Sequence, residues 1–164
     1  MGMSTRDRQG CAVLQVGLRT RPGDRSLHAG ILTEFRLLHL RKAAVALHPG
    51  AMYRLGTAEL NGSLGLPQRP KEGVKWLKRS AEHASAEFPH ALHELALLHE
   101  RGIENVLFVD LEYATELLAQ ASELGYAPSA VKLGECYEYG KMGCPMDAAL
   151  SIHYYVSHLM LIER

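Results

Sequence analysis

The 164-residue chain has few cysteines, no net charge and no long apolar run, and each shortage closes off a class of protein. Three cysteines, an odd number, do not make the disulfide framework that holds small secreted domains together. No run approaches the roughly 20 apolar residues of a membrane span, and nothing at the start reads as a secretory signal. The opening MGMSTR puts Arg6 where a myristoylation motif requires Ser or Thr. The Arg-rich, acid-poor first 45 residues bear only a faint resemblance to a mitochondrial presequence. Asn61-Gly62-Ser63 is formally a glycosylation sequon, without meaning in a chain that stays inside the cell.

Charge balances at 18 basic against 18 acidic residues but is unevenly spread. Residues 1–47 hold eight Arg/Lys and three Asp/Glu, whereas residues 48–164 hold ten and fifteen. The larger part is acidic, which argues against a nucleic-acid binder, because that function needs a basic surface facing phosphates. The hydrophobic fraction of 47% suits a folded globular chain. A single domain of this size buries roughly 70% of its unfolded surface. The expectation is a soluble intracellular protein.

Signatures of catalysis are also missing: there is no phosphate loop, no GxSxG and no pair of acids flanking an obvious cleft. His93-Glu94-Leu95-Ala96-Leu97 begins like the HExxH zinc motif but has Leu where the second His must sit, so no metal is gripped at i and i+4. His90 and His93 lack a third ligand at sensible spacing. Cys136 and Cys144, eight residues apart, are neither a CxxC redox pair nor half of a zinc site.

What the chain does have is internal repetition. AMYRLGTAELNG from Ala51, ALHELALLHERG from Ala91 and SAVKLGECYEYG from Ser129 align at Leu55, Leu95 and Leu133, and again at the closing Gly62, Gly102 and Gly140, spaced 40 and 38 residues apart. A second pattern follows each. Gly73, Ala114 and Ala149 align in it, then Trp76, Leu117 and Ile152, then Leu77, Leu118 and His153. The pairs Ser80-Ala81, Ala121-Ser122 and Val156-Ser157 close it. EFRLLHLRKAAVAL, through Ala43-Ala44, supplies one more copy before the first repeat.

Each unit reads as two helices. Positions 51, 55, 58 and 62 share the inward face of the first helix, and 53, 54, 57 and 61 point away. Pro49, Pro89 and Pro128 stand at or just before first turns, where a missing N–H costs nothing. One hairpin cannot bury its apolar stripe alone, so the pairs must stack into an all-α superhelix. The expected organisation is a basic, non-repeat segment over 1–33, a solenoid of about three and a half repeats over 34–160, and a tail at 161–164.

The pattern A-x3-L-G-x2-Y-x2-G, a short loop, then A-x2-W-Y-x2-A-A resembles the Sel-one-like repeat, a relative of the tetratricopeptide repeat. YRLGTAELNGSLGL, RPKEGVKWLKRSAE, PHALHELALLHERGI and LGECYEYGKMGCPMDAALSIHYY are similar to fungal members of the chitin synthase activator or regulatory-subunit type. The resemblance implies a non-catalytic adaptor without a cofactor, cytoplasmic or held at the plasma membrane or septum through its partner. That partner would be a chitin synthase or a cell-polarity protein. It also implies a longer solenoid than this one, of which this chain would be a part. A general adaptor in a signalling or quality-control complex is the rival. Secreted bacterial members with a disulfide pair in each repeat, some linked to β-lactam binding, make a hydrolase a second rival. Cysteine occurs in only one of the three repeats here, which counts against it.

In repeats of this kind the first helices line the concave face. The candidate partner-binding residues are therefore Tyr53, Arg54, Thr57 and Asn61; His93, Glu94, Leu97 and Arg101; and Val131, Lys132, Glu135 and Tyr139. Cys136 aligns with Ala58 and Leu98 at an inward position, where a thiol is a small hydrophobe. Ser80 follows Lys78-Arg79 like a kinase site but aligns with core positions.

Overall fold

The computed structural model describes residues 24–162. Most of the non-repeat segment expected over 1–33, including Arg6 and Cys11, lies outside these residues, as do positions 163–164 of the expected tail. Among the described residues seven helices occur: α1 (Asp24–Val45), α2 (Pro49–Asn61), α3 (Pro70–Glu82), α4 (His90–Arg101), α5 (Leu111–Glu123), α6 (Ala127–Tyr139) and α7 (Ala148–Ile162). Among the described residues there is no strand, only an isolated bridge between Ile103 and Leu107. The chain divides into two units, Met1–Phe35 and Arg36–Arg164. Of the first, the structure describes the opening turns of α1. The second is the all-α superhelix, in which α2–α3, α4–α5 and α6–α7 are the repeats.

The first helix of a repeat stops where glycine allows a left-handed turn. Gly62 (φ 66°, ψ 35°) and Gly140 (φ 64°, ψ 36°) donate their N–H groups to Ala58 and Cys136. The next residues, Ser63 and Lys141, donate to the same two carbonyls at 2.9 Å. This pairing satisfies carbonyls that the helix end would otherwise orphan.

The second helix is then set by a bond that recurs in every repeat. The N–H of Arg69 reaches Glu59 O at 2.7 Å, that of Asp110 reaches His99 O at 3.0 Å, and that of Asp147 reaches Tyr137 O at 2.9 Å. From those anchors Gly73, Ala114 and Ser151 each donate back to the residue four before them, at 3.0 Å. Asp110 and Asp147 also cap their helices with the side chain, accepting from Tyr113 N at 3.0 Å and from Ala149 N at 2.8 Å. An aspartate at this position satisfies an orphan N–H and complements the helix dipole.

These anchors correct the alignment of the last second helix. The equivalents of Ala114, Leu117 and Leu118 are Ser151, Tyr154 and Tyr155, two residues beyond the expected Ala149, Ile152 and His153. Ser151 is buried, whereas Ala149, Ile152, His153 and Val156 are exposed. Two residues rotate a helix by about 200°, so the slip turned the inward face outward. The letters misled because α7 is apolar all round: Leu150, Ile152, Val156, Leu159 and Met160 all stand on its exposed side.

Burial follows the corrected register. Ala44, Met52, Leu55, Ala58 and Leu66 form one cluster with Leu37, Leu40 and Trp76 packed on it. Leu77, Leu95, Ala96, Leu118, Leu133 and Cys136 belong to a second, which runs through successive repeats. Small residues let helices meet closely. A Cβ built on Gly73 would stand 2.8 Å from the carbonyl oxygen of Gly56. Ser80 is fully buried and donates to Pro49 O at 2.9 Å, tying α3 to the start of α2. Ser80→Ala removes that bond from a fully buried site, and a loss of about 1 kcal/mol in urea unfolding is the expected result. An unchanged midpoint would contradict the tie.

Candidate interaction surface

Helices α2, α4 and α6 present their outward positions side by side. None of the twelve candidate residues is buried: Arg54, Asn61, Arg101 and Tyr139 are exposed, and Tyr53, Thr57, His93, Glu94, Leu97, Val131, Lys132 and Glu135 are half-buried. The two seams between these helices differ in kind.

The seam between α4 and α6 is tied by its own side chains. His93 Nδ1 lies 2.8 Å from Ser129 Oγ, and Lys132 Nζ donates to Glu100 Oε1 at 3.1 Å with both side chains about a quarter exposed. Rings reinforce one end: His90 and Tyr126 are 5.0 Å apart between centroids and His93 and Tyr126 5.2 Å, while across the α2–α4 seam Tyr53 lies 5.7 Å from His90. Burial, then the neighbouring Lys132, holds the His93 imidazole below its ordinary pKa. Tyr53 and Tyr126 are pushed up by burial and next by the Glu94 carboxylate, which faces both. At the far end Tyr139 carries Lys141 over its ring at 4.9 Å.

Beyond the Tyr53–His90 contact, the seam between α2 and α4 is open. A groove of about 300 Å³ runs along it, floored by Leu60, Leu97, Leu98 and Ile103 and rimmed by Thr57, Asn61, Gln68, Glu94 and Arg101. The Thr57 hydroxyl is used up on the carbonyls of Tyr53 and Arg54, at 3.1 Å each. The side chains of Asn61, Gln68, Glu94 and Arg101 make no hydrogen bond or ion pair within the described residues. Five of the twelve candidates meet here. Gln68, Ile103, His90 and Tyr126 complete the surface from loops and first turns, where the aligned helix stripe does not reach.

Other chemistry is poorly served. Among the described residues no three His, Cys, Asp or Glu side chains come together to hold a metal ion. Cys136 is buried with its Sγ 3.4 Å from Met142 Sδ, and burial pushes its thiol up to about 11. Little thiolate forms there at neutral pH. A roomier cavity of about 600 Å³ between α5 and the loop before α7 contains Cys144, also pushed up by burial, beside Glu112 and Glu116. No helix among the described residues is long and apolar enough to cross a membrane.

His99 is the group through which acid is expected to weaken the fold. It is 7% exposed, neither ring nitrogen has a well-aligned hydrogen-bond partner among the described residues, and its ring meets Tyr113 edge-on at 4.9 Å. Burial lowers its pKa from 6.5, and Lys78 adds to the effect, against the opposing pulls of Asp110 and of a weaker approach to the Phe108 backbone. The fold therefore favours the neutral ring over the imidazolium. Its contribution is intact above pH 6.5 and is lost as pH falls from there through the depressed folded value. Urea midpoints measured between pH 7.5 and 5 should fall, and His99→Phe should flatten that slope. Equal slopes in both proteins would remove His99 as the cause.

With the repeats and the surface in place, the comparisons with known proteins divide the chain in the same way. The family model for the Sel1 repeat matches residues 49–85, 89–126 and 127–156. The chain belongs to the Sel1 repeat family. Among curated relatives, it is 76% identical over 98 residues to the chitin synthase regulator SKT5 of Malassezia restricta, covering 60% of this chain and 7% of that protein. It is 42% identical over 119 residues to the chitin synthase regulator SKT5 of Saccharomyces cerevisiae, covering 71% and 17%. It is 36% identical over 115 residues to chitin synthase regulatory factor 3 of Schizosaccharomyces pombe, covering 70% and 12%. The chain thus spans less than a fifth of the length of each of these three relatives. Two solved structures share the Sel1 superhelix at 26% identity. One is a Sel1 repeat protein from Oxalobacter formigenes, with a TM-score of 0.66 over 76% of this chain and 89% of that one. The other is a protective antigen of uropathogenic Escherichia coli, with 0.64 over 74% and 24%.

Proposed function

We propose that this Sel1 repeat region works as a non-catalytic adaptor that binds a chitin synthase and regulates it, at the plasma membrane or septum where such an enzyme acts. The observation that carries the reading is the 76% identity over 98 residues to a chitin synthase regulator, a stretch long enough to include the first-helix surface. The chemistry of that surface supports an adaptor. Its groove offers unpaired donors, one carboxylate and an apolar floor, and its one hydroxyl is committed to the helix backbone. That inventory suits peptide recognition, and it contains no nucleophile with a base beside it.

The test is direct. The purified chain, immobilised and exposed to detergent-solubilised fungal membranes, should retain a chitin synthase identified by immunoblot. Retention of other complexes with no chitin synthase among them would overturn the reading in favour of a general scaffold.

A further inference from the structure

The open seam between α2 and α4 has a built-in order of chemistry. Along α4 its wall presents an acid at Glu94, an apolar side chain at Leu97 and a base at Arg101, one turn after another. Opposite them α2 contributes Thr57, Leu60 and Asn61. Neither charge is paired within the described residues, in contrast to the next seam, where Lys132 and Glu100 pair with each other. A half-buried carboxylate and an exposed guanidinium at opposite ends of one apolar trough call for the complementary charges in that order.

We infer that this groove takes an extended peptide segment with a basic, an apolar and an acidic side chain on one face, the basic one at Glu94 and the acidic one at Arg101. The inference rests on the adaptor reading and names the partner chemistry of that surface. Glu94 and Arg101 are about 10 Å apart along the helix axis. Alternate side chains of an extended strand repeat every 6.6 Å or so, so three of them span about 13 Å, a mismatch that long basic and acidic arms absorb. The apolar side chain falls on Leu60, Leu97 and Leu98. At the Arg101 end the guanidinium receives the carboxylate, and the Asn61 and Gln68 amides are placed to bond the peptide backbone.

The probe is a blocked synthetic peptide, Gly-Lys-Ser-Leu-Ser-Asp-Gly, titrated into the isotopically labelled full chain at low salt. Amide shifts of residues 53–61 and 90–103 are followed by NMR. Those signals should move, and replacing the peptide's Lys by Asp, its Asp by Lys or its Leu by Ser should each weaken binding about tenfold or more. Arg101→Glu should lose the parent peptide and prefer the version with two Lys. Glu94→Lys should prefer the version with two Asp. Either variant alone suffices if the other fails to fold.

Equal binding of all four peptides, binding to none of them, or no swap of preference in a folded variant overturns the groove assignment. The adaptor reading has its own arm. Capture of chitin synthase that survives both charge reversals removes the groove and leaves the adaptor, whereas no capture by the unaltered chain removes the adaptor.

Discussion

Gly73→Leu is expected to cost about 3 kcal/mol or more and to leave the chain largely unfolded at the temperature where the unaltered protein melts. A Cβ at this position would sit 2.8 Å from the Gly56 carbonyl oxygen and 3.0 Å from the backbone nitrogen of Leu60. Both are main-chain atoms of α2, held by the helix, so relief requires the two helices to separate. Gly73→Ala makes a sharper test. On intrinsic helix propensity alone, alanine should stabilise α3 by roughly 1 kcal/mol. The close approach predicts the opposite sign. A melting temperature at or above that of the unaltered protein would show that α2 and α3 do not meet as described.

Gly134→Leu is the second large effect, about 1–3 kcal/mol, with a different mechanism. Here the new Cβ meets the Tyr155 ring at 2.7 to 2.9 Å, and a ring can swing away where a backbone cannot. The ring is tethered, because the Tyr155 hydroxyl donates to Glu138 Oε2 at 2.7 Å. Displacing it loses both the packing and that bond. In a Tyr155→Ala background the space is open, so the two substitutions should be non-additive and Gly134→Leu should cost markedly less there. Full additivity, or no cost for Gly134→Leu alone, would contradict the contact. No such rescue is available for Gly73.

These two glycines also mark what could be read in the sequence. The first helices were legible because their closing glycines are spaced regularly and their leucines recur at helical period. The inward Leu55, Leu95 and Leu133 are all buried. Met52 and Glu59 are buried as well, and the pattern gave no warning of either. Glu59 keeps one carboxylate oxygen without a partner, and burial, with Glu72 adding to it, raises its pKa. It is the counterpart of His99 and Tyr137, three unlike polar residues that no apolar periodicity groups together. The last second helix was misread by two residues because its apolar side chains cover every face, leaving hydrophobicity unable to choose a register. The Asp147 N–H to Tyr137 carbonyl bond makes that choice, and main-chain bonds leave no letter behind.

The candidate surface reads in the sequence as a stripe, not as a groove. The stripe treats the three first helices alike, whereas the structure ties the α4–α6 seam with Lys132–Glu100 and His93–Ser129 and leaves the α2–α4 seam open beyond one ring contact between Tyr53 and His90. The difference depends on which side chains meet between repeats about 40 residues apart, and a repeat alignment averages such pairings away.

The recurring bond from Arg69, Asp110 and Asp147 has a further consequence. It closes each inter-helix loop into a small ring, pinned at the glycine cap on one side and at this bond on the other. Everything between the pins can change length without moving either helix, as the nine residues of 102–110 beside the eight of 62–69 and 140–147 illustrate. Insertions or protease cuts inside a ring should therefore be borne by the loop alone. The three pinning amides, despite standing at loop ends, should exchange with deuterium as slowly as the helices they start.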